Sequence, residues 1–122
     1  ISVGGWTWSS NFSDVALTNQ SRSIFAASCV EFVQKYGFDG IDLQWVYPVS
    51  GGMSGNSERP EDTQNYVLLL EEIRRQLDAI LNKTYLLTVD TGATTERIAN
   101  LDLPGMAAHV DWFNVMTYDF HG

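Results

Sequence analysis

Residues 38–48 read Phe-Asp-Gly-Ile-Asp-Leu-Gln-Trp-Val-Tyr-Pro, and this stretch constrains the chain more than any other. Side chains on a β-strand alternate between faces, so Asp42, Gln44 and Val46 project to one side while Ile41, Leu43 and Trp45 project to the other. The second set is wholly apolar and suits packing. The first set is mostly polar, and suits a face left open for chemistry.

Three more segments read as strands. Ile1 to Gly5 is short and ends in paired glycines, Tyr85 to Val89 is apolar enough to be buried on both faces, and Trp112 to Thr117 closes the series. Between them, Asn19 to Tyr36 places Phe25, Cys29, Phe32 and Tyr36 at spacings of three and four, and Gly37 stops it as a helix would be stopped. Val49 to Glu58 is a Gly/Ser/Asn-rich connection expected to be mobile. Pro60, Glu61 and Asp62 mark a helix start by preset φ and negative charge, and Tyr66, Leu69, Ile73, Leu77 and Ile80 form its stripe. Thr94 to Ala99 reads as a short helix and Pro104-Gly105 as a turn. Strands alternating with helices predict parallel pairing through right-handed crossovers, an α/β fold with four parallel strands and covering helices in one domain over residues 1–122.

Three motifs stand in order along these strands: Ser2-Val3-Gly4-Gly5, then Asp39-Gly40-Ile41-Asp42-Leu43-Gln44-Trp45-Val46, then Met116-Thr117-Tyr118-Asp119. Together they resemble the family 18 glycoside hydrolases, the chitinase family, whose fourth-strand signature is Asp-Gly-x-Asp-x-Asp-x-Glu and whose third and sixth strands carry Ser-x-Gly-Gly and Met-x-Tyr-Asp. The resemblance implies the third to sixth βα units of a (β/α)8 barrel. Such a barrel takes roughly 250 residues, so the 122 residues here are expected to make half of one, closed by dimerisation or by a complementary barrel fragment.

Asp39, Gly40 and Asp42 fit the signature, whereas Gln44 and Val46 depart from it. In the family a glutamic acid protonates the glycosidic oxygen while the substrate's N-acetyl carbonyl attacks the anomeric carbon, an exception to the two-carboxylate scheme. That glutamate corresponds to Val46, and the aspartate that orients the acetamido group corresponds to Gln44. General acid catalysis contributes about 10² to 10⁴-fold and electrostatic stabilisation is often as large, so no useful hydrolysis is expected. Asp42, Met116, Tyr118 and Asp119 keep the family residue types, and Trp6 is the aromatic side chain best placed to stack on a sugar. Asp90 stands at the end of the third strand, where the family generally has a small or apolar residue. It is read as a cap or solvated group, with a substitute catalytic acid as the other possibility.

Composition narrows the remaining classes. A net charge of −8 with seven Lys and Arg argues against nucleic-acid binding. No apolar run approaches the ~20 residues that span a bilayer, and no basic-then-apolar leader opens the chain, so a soluble chain is expected; family members are often secreted. His109 and His121 stand too far apart in sequence for a metal cluster, the single Cys29 reads as a buried thiol, and no cofactor is implied. The expected function is an inactive, excised or redesigned structural module that self-associates; the alternatives are a lectin-like binder of N-acetylglucosamine oligomers and a residual glycosidase using Asp90.

Overall fold

In a computed structural model, which describes residues 1–121, the chain forms one sheet of four parallel strands in the order β1-β2-β3-β4. The strands are β1 (Ser2–Gly4), β2 (Gly40–Gln44), β3 (Leu86–Gly92) and β4 (Trp112–Met116). β1, β2 and β4 are shorter than the expected runs Ile1 to Gly5, Phe38 to Trp45 and Trp112 to Thr117, and β3 begins one residue later than expected and runs on to Gly92. The register aligns Ser2, Asp42, Thr88 and Trp112 across the sheet, one row below Asp90 and Asn114.

The alternation in β2 holds. Ile41, Leu43 and Trp45 are buried under the helices, while Asp42 and Gln44 are only partly covered on the opposite face. Trp45 is clamped between the Phe12 ring, stacked at 5.6 Å, and the Tyr66 ring at 5.0 Å. Truncating a side chain so enclosed would cost about 3–5 kcal/mol.

The helices are α1 (Phe12–Leu17), α2 (Asn19–Tyr36), α3 (Asp62–Asp78), α4 (Thr95–Ala99) and α5 (Leu103–Ala107). α3 buries Tyr66, Leu69, Leu70, Ile73 and Leu77, as its stripe predicts. α2 is rotated from expectation: its buried positions are Arg22, Ala26, Cys29 and Val33, whereas Phe32 and Tyr36 are exposed, Phe32 stacking on Phe38 and packing at a tilt against Tyr36. The segment before it, to which the sequence reading assigns no element, forms α1. Arg22 turns inward and donates to the Ala16 carbonyl at the end of α1 at 2.5 Å, satisfying a carbonyl the short helix cannot. α2 itself begins with a capping box between Thr18 and Ser21 and ends on Gly37 in the left-handed conformation, φ 73°. The Pro104-Gly105 pair lies inside α5 rather than in a simple turn, because proline suits a helix's first turn and Asp102 caps it by accepting from the Gly105 N–H at 3.0 Å.

Among the described residues no helix is long and apolar enough to cross a membrane.

Candidate functional site

All pairings are parallel, so the C-terminal ends of the strands open on one side, where βα loops gather functional groups in such sheets. Asp42 lies at the centre of the open face. Its carboxylate accepts from Ser2 Oγ of β1 at 2.7 Å, Thr88 Oγ1 of β3 at 2.6 Å and Asn114 Nδ2 of β4 at 3.2 Å. A carboxylate held by donors from all three other strands has its lone pairs engaged in scaffolding.

One row nearer the mouth, Gln44 turns its Nε2 towards Met116, 3.7 Å from the sulfur. Its Oε1 lies on the β1 side, 3.0 Å from where a Cβ on Gly5 would sit. Asp90 occupies β3 beside it, in register with Asn114 of β4. The strand does not end at Asp90, and Asp90 caps nothing: α4 is capped by Thr94, whose Oγ1 accepts from the Arg97 N–H at 3.4 Å. Burial, with the Asp42 charge as second cause, raises the Asp90 carboxyl above its usual range, against the lowering effect of the neighbouring Asn114 and Gln44 amides.

Val46 is 4% exposed. Ser9, wholly buried, fixes the backbone there: its hydroxyl donates to the Gly5 carbonyl at 2.7 Å and accepts from the Val46 N–H at 3.0 Å. The end of β1 and the end of β2 are thereby tied through one oxygen. Asp39 lies at the other end of β2, exposed and paired with Lys83 at 2.7 Å, and does not reach the mouth.

Trp6, Met116, Tyr118 and Asp119 come together as the walls of one cleft of about 530 Å³ at the mouth. Trp6 and Tyr118 present more than half of their surface to solvent there. Two further cleft residues escape the sequence reading. The Arg97 guanidinium lies 4.6 Å over the Tyr47 ring and donates to the Ser50 carbonyl at 3.0 Å; fifty residues separate the pair, and no local pattern joins them. Asn114 was within reach, since the two-residue period that groups 42, 44 and 46 also groups 114 with 116.

The Val49 to Glu58 connection beside this cleft is cross-linked. Ser57 N–H donates to the Ser10 carbonyl at 2.9 Å, Gly51 N–H to Glu58 at 3.1 Å and Asn56 Nδ2 to the Val46 carbonyl at 3.3 Å. Behind it, buried Asp62 accepts from Ser13 Oγ at 2.6 Å, Arg59 N–H at 2.9 Å and Val49 N–H at 3.1 Å. Among the described residues no group of three His, Cys, Asp or Glu side chains is arranged to hold a metal ion.

Parallel βα units whose polar groups converge on the C-terminal ends of the strands define the class, a segment of a barrel-type α/β fold with its cleft at the mouth. The chain belongs to the glycosyl hydrolases family 18, whose family model matches residues 1–122. It is 60% identical over 125 residues to chitinase A1 of Niallia circulans, covering 100% of this chain and 18% of that protein. It is 39% identical over 129 residues to endochitinase 1 of Metarhizium anisopliae, again over 100% of this chain and 28% of the relative. Among solved structures, the chitinase ChiA74 from Bacillus thuringiensis matches with a TM-score of 0.96 and 49% identity, covering 100% of this chain and 20% of that one. The catalytic domain of the psychrophilic chitinase B from Arthrobacter TAD20 matches at 0.94 and 35%, over 100% of this chain and 33% of that one. The four strands and their helices thus correspond to a portion of the family barrel, and the chain spans under a third of the curated relatives named here.

Proposed function

We propose that this chain forms one wall of a cleft that binds N-acetylglucosamine oligomers without hydrolysing them. The observation that carries the reading is Val46, an enclosed hydrocarbon at the position where the family signature has its proton-donating glutamate. Gln44 supports it, because an amide hydrogen-bonds but carries no charge to stabilise a developing cation. Losing both terms removes about 10² to 10⁴-fold for the acid and a comparable factor for electrostatics. The binding half rests on the chitinase names of the relatives and on the exposed rings of Trp6 and Tyr118 in one cleft. The test pairs two assays on the same chain: turnover of a fluorogenic chitobioside and quenching of tryptophan emission by chitotetraose. Buffer-level turnover with saturable quenching is expected. Turnover that disappears in Asp90→Asn would overturn the reading in favour of a substitute acid.

A second reading, self-association, is favoured by the sheet's edges. Ile1 beside β1 and Trp112 and Val115 of β4 are 43%, 48% and 52% exposed, an apolar content that edge strands normally avoid. Light scattering across a concentration series decides it: a stable mass of two chains supports it, and a monomer at every concentration rejects it.

A further inference from the structure

The chain carries a net charge of −8, yet among the described residues Arg97 of α4 pairs with no carboxylate. Its guanidinium serves the connection that leaves β2 instead, lying 4.6 Å over the Tyr47 ring and donating to the Ser50 carbonyl at 3.0 Å. Asn100, at the end of the same helix, reaches the Ser50 hydroxyl at 3.5 Å, and its own carbonyl accepts from Thr63 Oγ1 of α3 at 2.8 Å. Two glycines leave room for the arginine: a Cβ on Gly92 of β3 would stand 2.8 Å from the Arg97 Cβ, and one on Gly51 would overlap the guanidinium. A planar fork can lay its face on a ring and still direct an N–H along its edge to a carbonyl, which a point charge cannot do.

The connection is anchored at its two ends, by Val49 N–H on Asp62 and by Ser57 N–H on the Ser10 carbonyl. Between those anchors the bonds of Gly51 to Glu58 and of Asn56 to Val46 stay within the segment and the strand end it grows from. Arg97 and Asn100 are what tie this span to α4. We infer that Arg97 is a positioning residue for the mouth cleft: it latches the 49–58 connection against α4 and holds the Tyr47 ring in place, so that this wall is formed before a ligand arrives. The inference deepens the sugar-binding reading above and rests on it only for the identity of the ligand. Tyr47, Gly51 and Arg97 line the same cleft as Trp6 and Tyr118, so releasing the latch removes part of the lining without touching the exposed rings. Apparent affinity then falls by the fraction of chains whose wall is formed.

The latch is tested first without ligand, by amide exchange in ¹H–¹⁵N NMR on the whole chain. In Arg97→Ala the amides of Gly51 and Asn56 should exchange roughly thirtyfold faster, the combined effect of a cation–π contact and one hydrogen bond from a charged donor. Those of Val49 and Ser57, held by other partners, should not change. Tyr47→Leu, which removes the ring and leaves the bond to Ser50, should open the same amides by a smaller factor, and Arg97→Lys should recover only part of the protection. Unchanged exchange in Arg97→Ala, acceleration spread evenly over the chain, or full recovery by lysine overturns the inference. The ligand arm follows tryptophan quenching by chitotetraose in stopped flow. A latch predicts association at least roughly twofold slower in Arg97→Ala with dissociation unchanged, because the complex forms only from the closed wall. Faster dissociation with unchanged association would make Arg97 a direct sugar contact and overturn the positioning role. A wild-type chain that does not bind chitotetraose refutes the sugar-binding reading, whereas the amide exchange still decides what Arg97 does to the connection.

Discussion

Asp62→Ala separates two accounts of one acidic residue by magnitude. As a negative charge at the start of α3, Asp62 would contribute about 0.3–1 kcal/mol through the helix dipole. The structure assigns it more: a side chain with no exposed surface accepts from a buried hydroxyl and two backbone N–H groups, at 2.6 to 3.1 Å. Each donor left without a partner costs about 1–3 kcal/mol, and the two backbone groups are only partly buried, so water recovers some of that. Alanine should therefore cost about 3–5 kcal/mol. Asp62→Asn keeps one carbonyl acceptor but sets an NH₂ among donors, and should cost about 2 kcal/mol. Urea unfolding followed by tryptophan emission measures both, and hydrogen exchange should show the amide of Val49 opening first. A cost below about 1 kcal/mol for Asp62→Ala would refute the network account and leave the dipole account standing.

Three further predictions follow from single sites. Val49 holds φ at 70°, a conformation that strains a β-branched residue, so Val49→Gly should leave stability unchanged or raise it by up to about 1 kcal/mol, read as the urea midpoint. Cys29 is pushed up to about 12 by burial, so its thiolate fraction near neutrality is about three orders of magnitude below that of a free thiol, and Ellman's reagent should react slowly with the native chain and rapidly in denaturant. Glu72 is lowered to about 2 by hydrogen bonds from Arg75 and then Gln76. Its stabilising effect is present above the ordinary glutamate range and is lost as pH falls through about 2. Because Arg75 is 64% exposed, Glu72→Gln should cost less than about 1 kcal/mol at neutral pH, a gap that closes in acid-series unfolding.

What the sequence discloses depends on how far apart the interacting residues lie. The alternation of residues 41–45, the α3 stripe and the Gly37 stop are local patterns that survive folding. The three ordered motifs led to the family by resemblance, each running along or out of the mouth end of its own strand. α1 is six residues long and its N-cap Asn11 makes no side-chain cap, so nothing periodic or punctuating announces it. The predicted α2 face is half right: Cys29 is buried and Phe25 packs against the core, whereas Phe32 and Tyr36 are exposed and Arg22, which bonds the end of α1, is buried. The Ser13–Asp62 and Tyr47–Arg97 contacts join residues about fifty positions apart, and composition at either end is silent about the other. Asp90 was located on the correct strand but assigned a terminal position, since Val89 is the last aliphatic residue of its run and the strand continues through Thr91 and Gly92 by pairing with β4.

Parallel ladders are tolerant of one error in particular. Slipping a strand by two residues keeps every side chain on its proper face and re-forms the backbone ladder, so neither hydrophobic burial nor main-chain pairing detects it. Asp42 does detect it, because a two-residue slip moves a donor by about 7 Å, and its bonds to Ser2, Thr88 and Asn114 each check one strand against β2. The residue is an alignment pin for the whole sheet. Its bonds hold the strands in register whether or not the chain meets a sugar, so the residue types at 44 and 46 leave Asp42 no freer to change.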